Sequence, residues 1–194
     1  DDGTWGILIA DDADKGVPAA LFMALSRTIL RTVGINRRDP AEVLIRVNEI
    51  INYDAESDLF VTVHYALWDP HTGTLSYANG GHNPPLLLTA NGDHSWLKAP
   101  GIALGILPEI DIPSNTIQLD PGDTLVLYTD GVTEAVNTDL DEYGTERLYW
   151  TAQSMHKQEP QAIVGGITAS VLEHTGDIPQ FDDMTMVVLQ RNDQ

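Results

Sequence analysis

Residues 124–131, TLVLYTDG, set five strand-forming residues almost directly against an Asp-Gly pair. A run that is apolar at consecutive positions suits a strand covered on both faces, and Asp-Gly is turn chemistry that ends it at once. Asp130 is therefore carried to the boundary between core and loop, where an ionised carboxylate is unfavourable unless something compensates it. The pattern recurs. Residues 6–10, GILIA, run straight into Asp11 and Asp12, and Asp182 and Asp183 precede the apolar run 184–189. Three strands remote in sequence thus each hold aspartate at one end. If those ends converge, the simplest compensation is a divalent cation.

Between these strands the periodicity changes. Residues 4–10 read as a strand. Pro18 suits the first turn of a helix whose apolar residues Leu21, Leu25, Ile29 and Val33 recur at spacing four, and Gly34 ends it. Asp39 caps a second helix opened by Pro40, with Val43, Leu44, Val47, Ile50 and Ile51 as its apolar stripe. From residue 60 the spacing turns strand-like: 60–68 and 74–78 form a hairpin around 69–73, and 86–89 and 94–98 continue it as an antiparallel meander. Short segments at 102–107 and 110–119 lead back to residue 124. Residues 132–144 are polar and acidic and read as a mobile cover. Helices are expected over 145–154 and 160–173, the second with Val164, Ile167, Val171 and Leu172 as its apolar residues, and 182–189 closes the chain as a core strand. This order lacks the regular alternation of a parallel doubly wound sheet and fits an α+β fold of antiparallel sheets covered by helix pairs.

A chain of 194 residues is enough for one domain with a sizeable core. Its 29 acidic residues against 10 Lys and Arg, a net charge of −19, would repel a nucleic-acid backbone or an anionic membrane and favour cations and basic partners. With no cysteine, disulfides and thiolate chemistry are excluded, and a cytoplasmic location is expected. No apolar run approaches the roughly 20 residues that cross a bilayer. The chain opens almost directly on a strand, which reads as a fragment of something longer.

The candidate catalytic and metal-ligating residues are Asp11, Asp130 and Asp182. Magnesium and manganese take such hard oxygen ligands and usually retain waters. Taken singly, each aspartate is more simply a turn or capping residue. Three together, in a chain so poor in basic residues, favour the metal reading. A metal pair about 3.5–4 Å apart lowers the pKa of a water and holds a phosphoryl group. Without a thiol nucleophile, that activated water is the expected attacking group. His64 and His82 have the chemistry of general acids, yet one lies mid-strand and the other in a Gly-Pro loop, so structural roles are expected. Lys15 is expected to be a solvated loop lysine. A haloacid-dehalogenase-type reading fails because Tyr128 stands where an Asp-x-Asp pair needs its first carboxylate.

The segments DDADKGVPAALFMA at 11–24, SYANGGHNPPLLL, LVLYTDGVTEA, YGTERL and DDMTMVVL, in that order, resemble the SpoIIE/RsbU branch of the metal-dependent PPM serine/threonine protein phosphatases. The resemblance covers nearly the whole chain. It implies a four-layer αββα sandwich, two antiparallel sheets flanked by helix pairs, with two Mn2+ or Mg2+ ions. It also implies hydrolysis of phosphoserine or phosphothreonine on a signalling partner of the anti-anti-sigma kind. By motif position Asp11 corresponds to the aspartate that bridges both metals, and Asp12 to the residue whose main-chain oxygen is a ligand. Asp130 belongs to the Thr-Asp-Gly motif together with Gly131. Asp182 opens the Asp-Asp-Met-Thr-like motif, and Asp183 is expected beside the ligands or bound to a further metal through water.

Two departures stand out. The family's Gly-Gly-Asp strand would lie upstream of residue 1, and Asp1 and Asp2 are too near Asp11 to replace it. One phosphatase domain over 1–194, without its first strand or strands and weakly active, is therefore expected. Asp12 stands where the family more often has an apolar residue. An upstream sensor domain is implied as a partner acting through the first helix pair, and a homodimer is left open. The competing reading is a catalytically impaired phosphatase-like module that only docks a signalling partner.

Overall fold

Pro18, Pro40 and Pro160 open long helices in the computed structural model, which describes residues 3–12, 16–35, 37–54, 59–180 and 182–192. The expectations for Asp1, Asp2 and Lys15 lie outside the described residues. In chain order the elements are β1 (Trp5–Asp12), α1 (Val17–Gly34), α2 (Pro40–Asp54), β2 (Val61–Asp69), β3 (Thr74–Gly80), β4 (Leu86–Leu88) and β5 (His94–Trp96). Then follow β6 (Asn115–Gln118), β7 (Thr124–Tyr128), α3 (Asp130–Thr133), α4 (Gly144–Met155), α5 (Pro160–Thr175) and β8 (Met186–Gln190). They fall into two compact units, residues 1–84 with 98–119 and residues 85–97 with 120–194.

The first unit is an antiparallel sheet of order β1-β2-β3-β6. Strand alternation sends Val61, Val63 and Tyr65 of β2 to one face, where they meet Phe22 and Leu30 of α1 and Val43, Leu44, Val47 and Ile51 of α2. α2 starts as its sequence predicts, the Asp39 carboxylate accepting the Ala41 N–H at 2.9 Å. The opposite face of β2 carries Thr62 and His64. In the second unit the sheet order is β5-β4-β7-β8. All five residues of β7 are buried, as a continuous apolar run requires. Leu86, Leu88, Val126 and Tyr128 pack against Leu148 and Ala152 of α4 and Ile163, Ile167 and Val171 of α5. Each unit is thus a four-stranded antiparallel sheet with a helix pair on one face, the expected α+β class.

Five local expectations are corrected. On α1 the buried line is Ala19, Phe22, Ser26 and Leu30, while Leu21 and Leu25 are 66% and 52% exposed. Both lines run along the helix, and the small Ala19 and Ser26 let Phe22 and Leu30 enter the core closely. The meander does not stay in one sheet, because β2 and β3 pair in the first unit and β4 and β5 in the second. Residues 102–114 form no regular strand; Leu104 only bridges Val61. The stretch 132–144 is anchored at both ends by the buried Val132 and Tyr143. Residues 182–185 precede β8 without joining it, and β8 is a half-buried edge strand.

Candidate functional site

β7 and β8 run antiparallel with Tyr128 opposite Met186 and Thr124 opposite Gln190. The residues leaving β7 and those entering β8 therefore share one end of the sheet. Thr129 stitches them together. Its N–H donates to the Thr185 carbonyl at 3.1 Å, its hydroxyl donates to the Asp183 carbonyl at 2.9 Å, and the same oxygen accepts the Thr185 N–H at 2.9 Å. Thr129 is buried, so these bonds form out of contact with water. Gly131 completes the seam, since a Cβ there would fall 2.4 Å from the Asp183 carbonyl oxygen. Only glycine allows that approach.

The seam brings Asp130 and Asp182 to one locality. Asp130, half-buried, opens the single turn α3, whose carbonyl accepts the Glu134 N–H at 2.7 Å. The carboxylate of Asp182 accepts the Asp183 N–H at 2.9 Å. Glu134 is pushed above the usual carboxylate range, first by partial loss of hydration and then by the charges of Asp130, Glu142 and Asp182. Glu134 thus lies within electrostatic reach of three other acidic side chains. Their hard oxygens fit Mg2+ or Mn2+ by donor chemistry. Among the described residues, no three His, Asp or Glu side chains are assembled closely enough to hold a metal ion by themselves.

In the first unit Asp11 and Asp12 are the last two residues of β1, opposite Thr62 and Val61. The Asp11 carboxylate accepts the Asp12 N–H at 3.0 Å, and the Asp11 main-chain carbonyl accepts the Thr62 hydroxyl at 3.2 Å. Thr62 Oγ1 also lies 2.9 Å from His82 Nδ1. A hydroxyl has one proton, so when it goes to Asp11 the His82 ring donates through Nδ1–H. Asn79 clasps the His82 backbone, accepting its N–H at 2.7 Å and donating to its carbonyl at 2.9 Å. His64 is fully buried and stacks on Tyr77 with centroids 5.4 Å apart, and among the described residues neither ring nitrogen has a hydrogen-bond partner. Burial, then the nearby His82, lowers its pKa from 6.5 to about 4, so it is neutral at neutral pH and unsuited to donate a proton.

Thr62, Thr129 and Glu134 were absent from the sequence-derived candidates. A signal for Thr129 was present: a hydroxyl at the end of an apolar run needs a partner once buried. Thr62 had a weaker one, sharing a strand face with His64.

Superposition identifies the class. The RsbU and RsbW domains of Rv1364c from Mycobacterium tuberculosis match with a TM-score of 0.83 at 26% identity, over 98% of this chain and 52% of that one. The SiaA-PP2C domain of Pseudomonas aeruginosa matches at 0.85 and 21% identity, over 97% and 80%. The catalytic domain of the serine/threonine phosphatase PstP, solved with two manganese ions, matches in fold at 0.71 and 15% identity, over 100% and 93%. The fold is that of PP2C-type phosphatases.

Within that class the chain belongs to the SpoIIE family, matching the family described as Stage II sporulation protein E over residues 1–192. It is 30% identical to Protein IcfG of Synechocystis sp. over 217 residues, 96% of this chain and 33% of that protein. It is also 30% identical to the phosphoserine phosphatase RsbU of Bacillus subtilis over 193 residues, 95% of this chain and 55% of RsbU. The chain spans a third to about half the length of these relatives.

Proposed function

We propose that this chain is the catalytic part of a metal-dependent protein serine/threonine phosphatase acting on phosphoserine or phosphothreonine of an anti-anti-sigma-like signalling protein. The observation that carries this reading is the seam from Thr129 and Gly131 to Asp183, which holds the carboxylates of two family motifs at one strand end. Asp130 and Asp182, together with Asp11 and the main-chain oxygen of Asp12, are the residues that would hold two Mn2+ or Mg2+ ions. Bound there, divalent ions supply a water of lowered pKa and neutralise phosphoryl charge. The chain's own contribution is orientation. Thr129 and Gly131 set where the Asp130 turn sits, and the Thr62 hydroxyl aims the carbonyl of Asp11. Asp183 commits its carbonyl to Thr129 and leaves an exposed side chain to reach the ions through water.

A cytoplasmic protein with an upstream sensor domain fits the family context. Val17, Leu21 and Leu25 form an exposed apolar line on α1 that supports a regulatory contact there. Among the described residues, no helix is long and apolar enough to cross a membrane.

The second reading, a docking module without a working metal centre, is favoured by the lack of a three-carboxylate group among the described residues. One experiment separates them: Mn2+ calorimetry and phosphate release from a phosphoserine protein, using the full-length protein and its Asp130→Asn variant. Mn2+ binding and turnover that both disappear in the variant support the phosphatase. Turnover indifferent to Asp130→Asn refutes it, and absence of divalent binding in the wild type favours the docking module.

A further inference from the structure

Beside the carboxylates of the second unit lies a hollow of about 110 Å3. Ala135, Val136, Leu172, Ile178, Pro179 and Met184 supply its apolar lining, and Thr175 and Gln180 add polar groups. It exists because α5 stops at Gly176, whose φ of +56° lies in the left-handed region and redirects the chain. That turn leaves Leu172, on the last turn of α5, 55% exposed at the mouth of the hollow.

Its rim is continuous with the candidate site. Gly131 and Asp182 border both, and Glu134 closes the edge. The volume equals that of three to four waters at about 30 Å3 each. The hollow's polar side chains are Thr175, Gln180, Glu134 and Asp182, and the larger part of the wall is apolar, so an aliphatic side chain suits that part better than solvent. An acidic side chain would meet Asp182 and Glu134 and be repelled. In an extended peptide, neighbouring residues are about 3.3 Å apart along the strand. A phosphoserine bound near Asp130 and Asp182 thus puts residues one or two positions away within range of Leu172.

We infer that this hollow is a specificity subsite for an aliphatic side chain of the phosphoprotein substrate, Leu, Ile or Met, close in sequence to the phosphorylated residue. The inference rests on the phosphatase reading and adds a substrate preference to it. One methylene in an apolar pocket changes kcat/KM by about tenfold or more. A peptide carrying Leu next to phosphoserine is therefore preferred at least about tenfold over its Asp counterpart.

The test uses full-length protein with Mn2+, phosphoserine peptides differing only in Leu, Ala or Asp at positions −2 to +2, and para-nitrophenyl phosphate as a substrate with no flanking side chain. Leu172→Gln, polar and uncharged, should erase the Leu preference and leave para-nitrophenyl phosphate turnover unchanged, while Leu172→Met should keep the preference. Equal kinetics for all peptides in the wild type, or a preference that survives Leu172→Gln, overturns the subsite while the phosphatase stands. If neither peptide nor para-nitrophenyl phosphate is hydrolysed, the phosphatase reading fails and the subsite with it.

Discussion

His64 makes the fold sensitive to acid in a way that can be isolated. In the folded chain its pKa lies at about 4, against 6.5 when unfolded, because burial strips the charged ring of water and His82 lies nearby, and among the described residues no hydrogen-bond partner compensates. Between those values the unfolded chain binds a proton that the folded chain refuses. Stability therefore rises with pH across that window, and what is present above pH 6.5 is lost as the pH falls towards 4. The whole interval corresponds to about 3 kcal/mol, of which about 2 kcal/mol is already lost at pH 5.

Replacing the ring by an apolar one of similar shape, His64→Phe, removes the effect. Urea unfolding of wild type and variant at pH 7.5 and pH 5, safely above the isoelectric point near 4.3, measures it. The Asp and Glu residues titrate in both proteins and cancel in the difference. The variant should gain about 2 kcal/mol on the wild type in going from pH 7.5 to pH 5. A stability difference independent of pH, or His64 ring protons that titrate near 6.5 by NMR, would refute the reasoning.

The seam at the end of β7 yields three further predictions. Thr129→Val strands the Thr185 N–H and the Asp183 carbonyl and should lower unfolding free energy by about 1–3 kcal/mol, with Thr129→Ser much milder; chemical denaturation decides. Gly131→Ala puts a methyl 2.4 Å from the Asp183 carbonyl oxygen, so the seam must open. A cost of about 1–3 kcal/mol and weaker Mn2+ binding by calorimetry are expected, and unchanged values of both would count against the seam. Asp130→Asn removes one of the charges that raise Glu134, whose titration should move back towards the ordinary 4.5. Carboxyl 13C NMR of metal-free protein reads this, and an unmoved Glu134 would mean that Asp130 is not its neighbour.

Several elements were legible in advance because their signals are local. β7 spans residues 124–128 as its unbroken apolar run predicts, and Asp39-Pro40 starts α2 through a cap whose donor lies two residues away. Pro160 starts α5. The buried side of α5 was half legible: Ile167 and Val171 face inward as expected, but Ile163 is buried instead of Leu172. On α1 the misreading was larger, because Leu21 and Phe22 each begin an apolar line and periodicity alone cannot rank them. Packing ranked them, through the small side chains of Ala19 and Ser26.

The amino-acid order by itself determined the α+β class, the extent of β7, the starts of α2 and α5, and the placing of Asp11 and Asp130 at the ends of β1 and β7, all of which depend on neighbours within a few residues. Only the tertiary structure decided that β4 and β5 leave the sheet of β2 and β3, and that Thr129 and Gly131 clasp Asp183. The same holds for the line of α1 that is buried and for the Thr62 hydroxyl that connects His82 to Asp11. These depend on which strand faces which. Pairing joins backbone groups that all residues share, so selection among partners comes from side-chain volume and buried hydrogen bonds that exist only once distant segments have met.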